Sequence, residues 1–194
     1  MRYLLHTMKI GLIYGGVNAS SNLVCYDKGT LLPGLEAYSD ADYANDPETR
    51  RSVTGWILTF AGAAISWKSQ LQRTISTSSC ESEITALTST GKEVFGMRKM
   101  MAETGEVQHQ PTVIWEDNQS AIALIKNSTK QERVKHYDVP LKWTIQQSER
   151  GQFDVQYIKT EHQLADILTK PLGRNRTAYL RGLISGYANI KSIN

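Results

Sequence analysis

From Leu35 onward the chain shows two hydrophobic rhythms in turn. Runs rich in β-branched and aromatic residues predict strands over Leu35–Asp42, Ser52–Phe60 and Ala63–Lys68, with Gly62 as a hairpin-style break between the last two. Ile84, Leu87, Val94 and Met101, with small Gly91 among them, recur at helical spacing and predict a helix from about Ser79 to Ala102. Ser78 and Glu81 form a capping-box pattern at its start. Pro111–Trp115 predicts a fourth strand, Asn118–Lys126 a short helix, and Arg133–Glu149 another, with Pro140 near its start or kinking it. Phe153–Ile158 predicts a fifth strand. A last helix over Gln163–Thr169, capped by Thr160 and Gln163, is stopped by Pro171.

Three consecutive strands suit an antiparallel meander, and later strands separated by helices suit parallel additions. The expected class is α/β: a mixed five-stranded sheet, three antiparallel strands and then parallel ones, flanked by helices. Residues 1–30 are poorly patterned, with Gly15-Gly16, Asn18–Asn22 and Lys28-Gly29 marking turns.

Composition narrows the class without changing it. At 194 residues, 40% hydrophobic and 21% charged, the chain suits one folded globular domain with a substantial core. Cys25 and Cys80 are too few for a disulfide framework and read as reduced thiols of an intracellular protein. No apolar run reaches the roughly 18–20 residues of a membrane span, and His6 and Lys9 break the brief signal-like start. The net charge of +3 permits a nucleic-acid partner without arguing for one. Basic residues gather in two stretches: Arg50, Arg51, Lys68 and Arg73, then Lys126, Lys130, Arg133, Lys135 and Lys142.

Acids supply the candidate chemistry. Asp40 lies in the first strand, a glutamate opens the long helix, Asp117 ends the fourth strand and Asp166 sits on the last helix. Carboxylates from separate segments can gather and stay ionised only around a cation, and hard oxygen donors select Mg²⁺ or Mn²⁺. Two such ions, roughly 3.5–4 Å apart, suit in-line displacement at phosphorus. No zinc-ligand spacing, P-loop or nucleophile elbow supports a rival chemistry. Each acid also has a structural reading. Asp117 could be a helix cap, and Asp40 competes with Asp42 on the same strand face. Glu83 borders the Leu87–Gly91–Val94 stripe whereas Glu81 points away and caps, so Glu83 is the ligand candidate. Asp166 faces away from Leu164, Ile167 and Leu168, as a solvent-facing aspartate would.

Several blocks together resemble the ribonuclease H segment of Ty1/copia-type retrotransposon polyproteins. They are Tyr38-Ser39-Asp40-Ala41-Asp42-Tyr43, Ser52-Val53-Thr54-Gly55-Trp56, Ile65-Ser66-Trp67-Lys68-Ser69 and Glu81-Ser82-Glu83-Ile84-Thr85-Ala86-Leu87. Glu116-Asp117-Asn118-Gln119-Ser120-Ala121, Lys135-His136-Tyr137-Asp138 and Gln163-Leu164-Ala165-Asp166 through Leu172 complete the set, in family order over about residues 35–172.

The resemblance implies that Asp40, Glu83, Asp117 and Asp166 hold two Mg²⁺ ions (or Mn²⁺) and that the RNA strand of an RNA–DNA hybrid is cut, leaving a 5′-phosphate and a 3′-hydroxyl. It places residues 1–30 as a remnant of the reverse transcriptase connection, 31–172 as the nuclease domain and 173–194 as a tail. Its implied partners are the hybrid and the reverse transcriptase domain of a parent polyprotein, with no membrane, in a cytoplasmic virus-like particle or the nucleus. Asn118, Gln119, Ser78, Arg133, Lys135 and His136 are candidates to contact the nucleic acid. His162, four residues before Asp166, stands where many ribonucleases H place a histidine that aids product release. Trp67, Trp115 and Trp143 are expected to pack in or beside the core. The competing expectation is an inactive or domesticated fragment that binds nucleic acid or supports a polymerase without cutting. Retention of all four acids argues against it.

Overall fold

The computed structural model describes residues 11–14, 23–26, 30–126 and 138–186. A small antiparallel hairpin, β1 (Leu23–Tyr26) with β2 (Thr30–Pro33), precedes the main sheet. That sheet is built from β3 (Glu36–Asp42), β4 (Val53–Phe60), β5 (Ala63–Leu71), β6 (Thr112–Glu116) and β7 (Phe153–Tyr157). Its spatial order is β5-β4-β3-β6-β7. The first three strands pair antiparallel, and β3–β6 and β6–β7 pair parallel, as the strand and helix order predicts. The β4–β5 turn is Ala61-Gly62, both with positive φ (51° and 85°), which suits the right-handed twist of the hairpin.

Helices cover both faces. α1 (Ser79–Glu103), α2 (Gln119–Lys126) and α3 (Asp138–Glu149) lie with the larger core, where Trp56 and Leu58 meet Ile84, Leu87, Val94, Ile114 and Phe153. α4 (Asp166–Thr169) and α5 (Arg174–Ile184) cover the other face, where Leu164 and Leu180 pack with Ile57 and Ala64. Successive residues of β4 thus feed opposite cores, which is why that strand reads as apolar almost throughout. Gly91 is the small residue of the α1 stripe because a Cβ there would stand 2.8 Å from the Phe153 ring.

Three expectations are corrected. The last helix does not begin at Gln163: a 3₁₀ turn occupies Thr160–His162 and α4 starts at Asp166. Gln163 is fully buried and its side-chain amide donates to the backbone carbonyls of Ser39 (2.9 Å) and Trp115 (3.3 Å), so neither it nor Thr160 caps a helix. β3 and β6 pair only as far as Tyr38 and Trp115, and the Gln163 amide satisfies carbonyls left where the strands part. Trp67 is 58% exposed, because the helices cover β5 only near its start and its later residues face solvent. Trp143 stacks obliquely on Phe153 as expected. No helix among the described residues is long and apolar enough to cross a membrane.

Candidate metal centre

Asp40 lies near the carboxyl end of β3, Glu83 in the second turn of α1 and Asp117 immediately after β6. Each presents a carboxylate oxygen within 4.8 Å of those of the other two. Local contacts fix all three. Ser78 accepts from the Glu81 N–H (3.2 Å), and Glu81 accepts from the backbone and hydroxyl of Thr77 (2.6 and 2.7 Å). Glu81 is therefore spent on the helix start and Glu83 is left for the cluster. Buried Gln72 ties the β5–α1 connection to the helix by donating to Thr54 Oγ1 and to the Ser82 carbonyl, both at 3.0 Å. Asn118 caps α2, accepting from the N–H groups of Ser120 and Ala121. Asp117 is thereby released from capping and instead accepts from the Thr160 hydroxyl at 2.7 Å.

Burial does the rest. Asp40 is fully buried and Glu83 nearly so, whereas Asp42 is half-buried. The turn after β3 is made by Asp46, which accepts from Glu48 and Thr49. Burial, then the charges of Glu116, Asp40 and Asp117, hold the Glu83 carboxyl well above the ordinary carboxylate range. Burial raises Asp40 as well, opposed mainly by Lys170. Among the described residues, Glu83 Oε2 has no hydrogen-bond partner. Three hard oxygen donors, with Glu83 raised by burial and by the charges of the other two and one of its oxygens buried without a partner among the described residues, fit a divalent cation of the Mg²⁺ or Mn²⁺ kind.

Asp166 stands beside this group rather than within it. It is buried at 2% exposure, not solvent-facing, with Oδ1 at 2.8 Å from Lys170 Nζ and Oδ2 at 2.7 Å from Arg176. The same Lys170 ammonium lies 3.0 Å from Asp40 Oδ1, and the Thr169 hydroxyl donates to Asp40 Oδ2. Thr169, Lys170 and Arg176 were absent from the sequence-based candidates, as was Glu116. Spacing carried a signal for two of them: Thr169 and Lys170 lie three and four residues after Asp166, the neighbour positions of a helix face. Glu116 shares a strand face with core residue Ile114, which marks it as inward-pointing. It is fully buried, its Oε1 accepts from the Asn118 N–H at 3.0 Å, and its Oε2 has no partner among the described residues.

Of the nucleic-acid candidates, Ser78 and Asn118 are occupied as caps and Gln119 is exposed at the first position of α2. Arg133, Lys135 and His136 lie outside the described residues. His162 is exposed, with Nδ1 2.9 Å from the Tyr179 hydroxyl and Nε2 3.5 Å from Glu161.

No family model matches the chain. It is 36% identical over 189 residues to the retrovirus-related Pol polyprotein from transposon TNT 1-94 of Nicotiana tabacum, covering 97% of this chain and 13% of that protein. It is likewise 36% identical over 147 residues to the Pol polyprotein from transposon RE1 of Arabidopsis thaliana, covering 76% of this chain and 10% of that one. The chain thus spans a small part of the curated relatives it matches. Among solved structures, the LC11 ribonuclease H1 isolated from compost matches 70% of this chain and 92% of its own with a TM-score of 0.53 and 13% identity. At that identity the likeness concerns the fold alone.

Proposed function

Homologous to the retrovirus-related Pol polyproteins of plant transposons and folded as a ribonuclease H domain, this chain is, we propose, a nuclease that hydrolyses the RNA strand of an RNA–DNA hybrid. One observation carries the reading: Asp40, Glu83 and Asp117 meet from three separate elements around a buried Glu83 oxygen that no described protein group satisfies. Divalent ions bound there would supply charge stabilisation and an activated water for displacement at phosphorus.

The chain's own residues prepare that chemistry. Burial of Asp40 and Glu83 keeps both carboxylates aimed at a shared point, so little reorganisation is needed when substrate arrives. Asp117 is the more open of the three, and the Thr160 hydroxyl steadies it at the substrate side. An open cleft between β5 and α1 is lined by Lys68, Arg73 and Lys92 with the hydroxyls of Thr85 and Ser89. Cations and hydroxyls of this kind suit a phosphate backbone, and discrimination of RNA would come from helix shape and 2′-hydroxyls. Arg133, Lys135 and His136 would extend the phosphate contacts, and residues 1–30 would join the nuclease to a reverse transcriptase, in a cytoplasmic particle or the nucleus.

The test is cleavage of labelled RNA, free or annealed to DNA, with Mg²⁺ and then Mn²⁺. The wild type is expected to cut only the hybrid, and Asp117→Asn to lose at least about 100-fold in rate, given that even outer partners of metal ligands are worth 10–100-fold. Equal cutting by the variant, or none by the wild type with either metal, overturns the proposal. A chain that retains hybrid in a gel-shift assay without cutting it is the non-cleaving binder.

A further inference from the structure

Asp166 and Asp40 are both buried, their side chains 3% and 1% exposed, and they come from different elements. Two such carboxylates repel unless a cation lies between them. The Lys170 ammonium takes that position, 3.0 Å from Asp40 Oδ1 and 2.8 Å from Asp166 Oδ1. Bridging one oxygen of each of two carboxylates is what a shared divalent ion does. Arg176 holds the remaining Asp166 oxygen. Glu83 and Asp117 differ from Asp166: they form no ion pair among the described residues, and each brings a carboxylate oxygen within 4.8 Å of one of Asp40.

We infer that Lys170 occupies the second cation position of the centre, so that the resting chain holds one divalent ion among Asp40, Glu83 and Asp117 and admits a second only when Lys170 leaves. The inference rests on the metal-centre reading given above. Lys170 has a way out, since its side chain is 31% exposed and its stem is long and flexible. Arg176 keeps Asp166 in place as the ammonium withdraws. The exchange replaces one positive charge by two, so it is unfavourable until more negative charge arrives. A substrate phosphate beside Asp40 supplies that charge. Lys170 is thereby a positioning residue that couples the second ion to substrate, and a withdrawn ammonium remains near enough to pair with the phosphate backbone.

The test is Mn²⁺ binding to the full chain without substrate, followed by the free-ion electron paramagnetic resonance signal. The wild type is expected to bind one ion tightly and a second at least about tenfold more weakly, an ordinary size for coupling between two sites. Lys170→Met is expected to tighten the second site by about tenfold or more and by a larger factor than the first, whose ligand Asp40 also loses its ammonium partner, while Lys170→Arg behaves as wild type. Two equal sites in the wild type, or an unchanged second site in Lys170→Met, overturn the inference alone. An absent first site, or one that Asp117→Asn does not weaken, overturns the metal-centre reading and the inference with it. If Lys170→Met does not fold, acylation of lysines in the wild type decides. Lys170 reactivity, measured against Lys68 by mass spectrometry, should rise as the second ion binds, and a constant or falling reactivity overturns the inference.

Discussion

Glu83 and Glu116 bring carboxyl groups into an interior that offers Glu116 the backbone N–H groups of Asn118 and Asp117 and sets several like charges around both. Burial is the principal cause that raises both above the ordinary value of 4.5. Neighbouring charge adds to it, and the Asn118 N–H opposes it at Glu116. The native chain therefore holds more protons than the unfolded chain once pH exceeds about 4.5, and stability must fall as pH rises through that window. The metal-free protein is expected to show a lower melting temperature at about pH 7.5 than at about pH 5, a loss that saturating Mg²⁺ removes and Glu116→Gln reduces. A metal-free melting temperature that is flat or rises over that range refutes protonated carboxyls at the centre. The same residues show what a sequence can disclose. Helix geometry alone separates Glu83 from Glu81, because one borders the buried stripe and the other sits at a cap. Asp166 reads as solvent-facing because its face is covered by Arg176 of the following helix, a contact that no periodicity encodes, even though Lys170 stands at the i+4 position.

At the scale of elements, the placement of α4 depends on a missing side chain. Gly55 pairs with Asp40 across β3 and β4, and a Cβ there would lie 2.5 Å from Thr169 Cγ2 and 3.1 Å from the Ala165 carbonyl oxygen. The helix rests directly on the strand, which is how the Thr169 hydroxyl and the Lys170 ammonium reach Asp40. Gly55→Ala is expected to cost about 1–3 kcal/mol in denaturant unfolding, as overpacking does. Unchanged stability would show that α4 is not seated on the strand. The strands were legible as runs of β-branched and aromatic residues, and the long helix because its burial follows a period of 3.6. The start of α4 was not, because the apolar spacing of Leu164, Ile167 and Leu168 says nothing of the two carbonyls that recruit Gln163 out of the helix.

At the scale of the described molecule, helices lie on both faces of the sheet except along the later part of β5, and the face carrying α4 is completed by α5. The order of strands and helices foretold the sheet. It did not foretell α5, since Arg174–Ile184 is polar and arginine-rich and reads as a tail until strand register shows Ile57 and Ala64 turned toward it. A boundary at residue 172 would discard it. Yet Leu180 is fully buried in the second core, and Arg176 bonds the carbonyls of Thr160 and Glu161 as well as Asp166. A chain ending at Leu172 loses the Leu180 burial, about 1.5–3 kcal/mol. It also leaves Asp166 Oδ2 buried without its partner, a further cost of about 1–3 kcal/mol or more. Set against the roughly 5–15 kcal/mol that stabilises an ordinary domain, that loss should lower the denaturant midpoint visibly. Leu180→Ala in the full chain separates the two causes: it should lose about 2–5 kcal/mol and keep its Mn²⁺ affinity, because Arg176 stays on Asp166. A chain cut at Leu172 that unfolds at the full chain's midpoint would make α5 an appendage, and the nuclease domain would then end where the sequence blocks do.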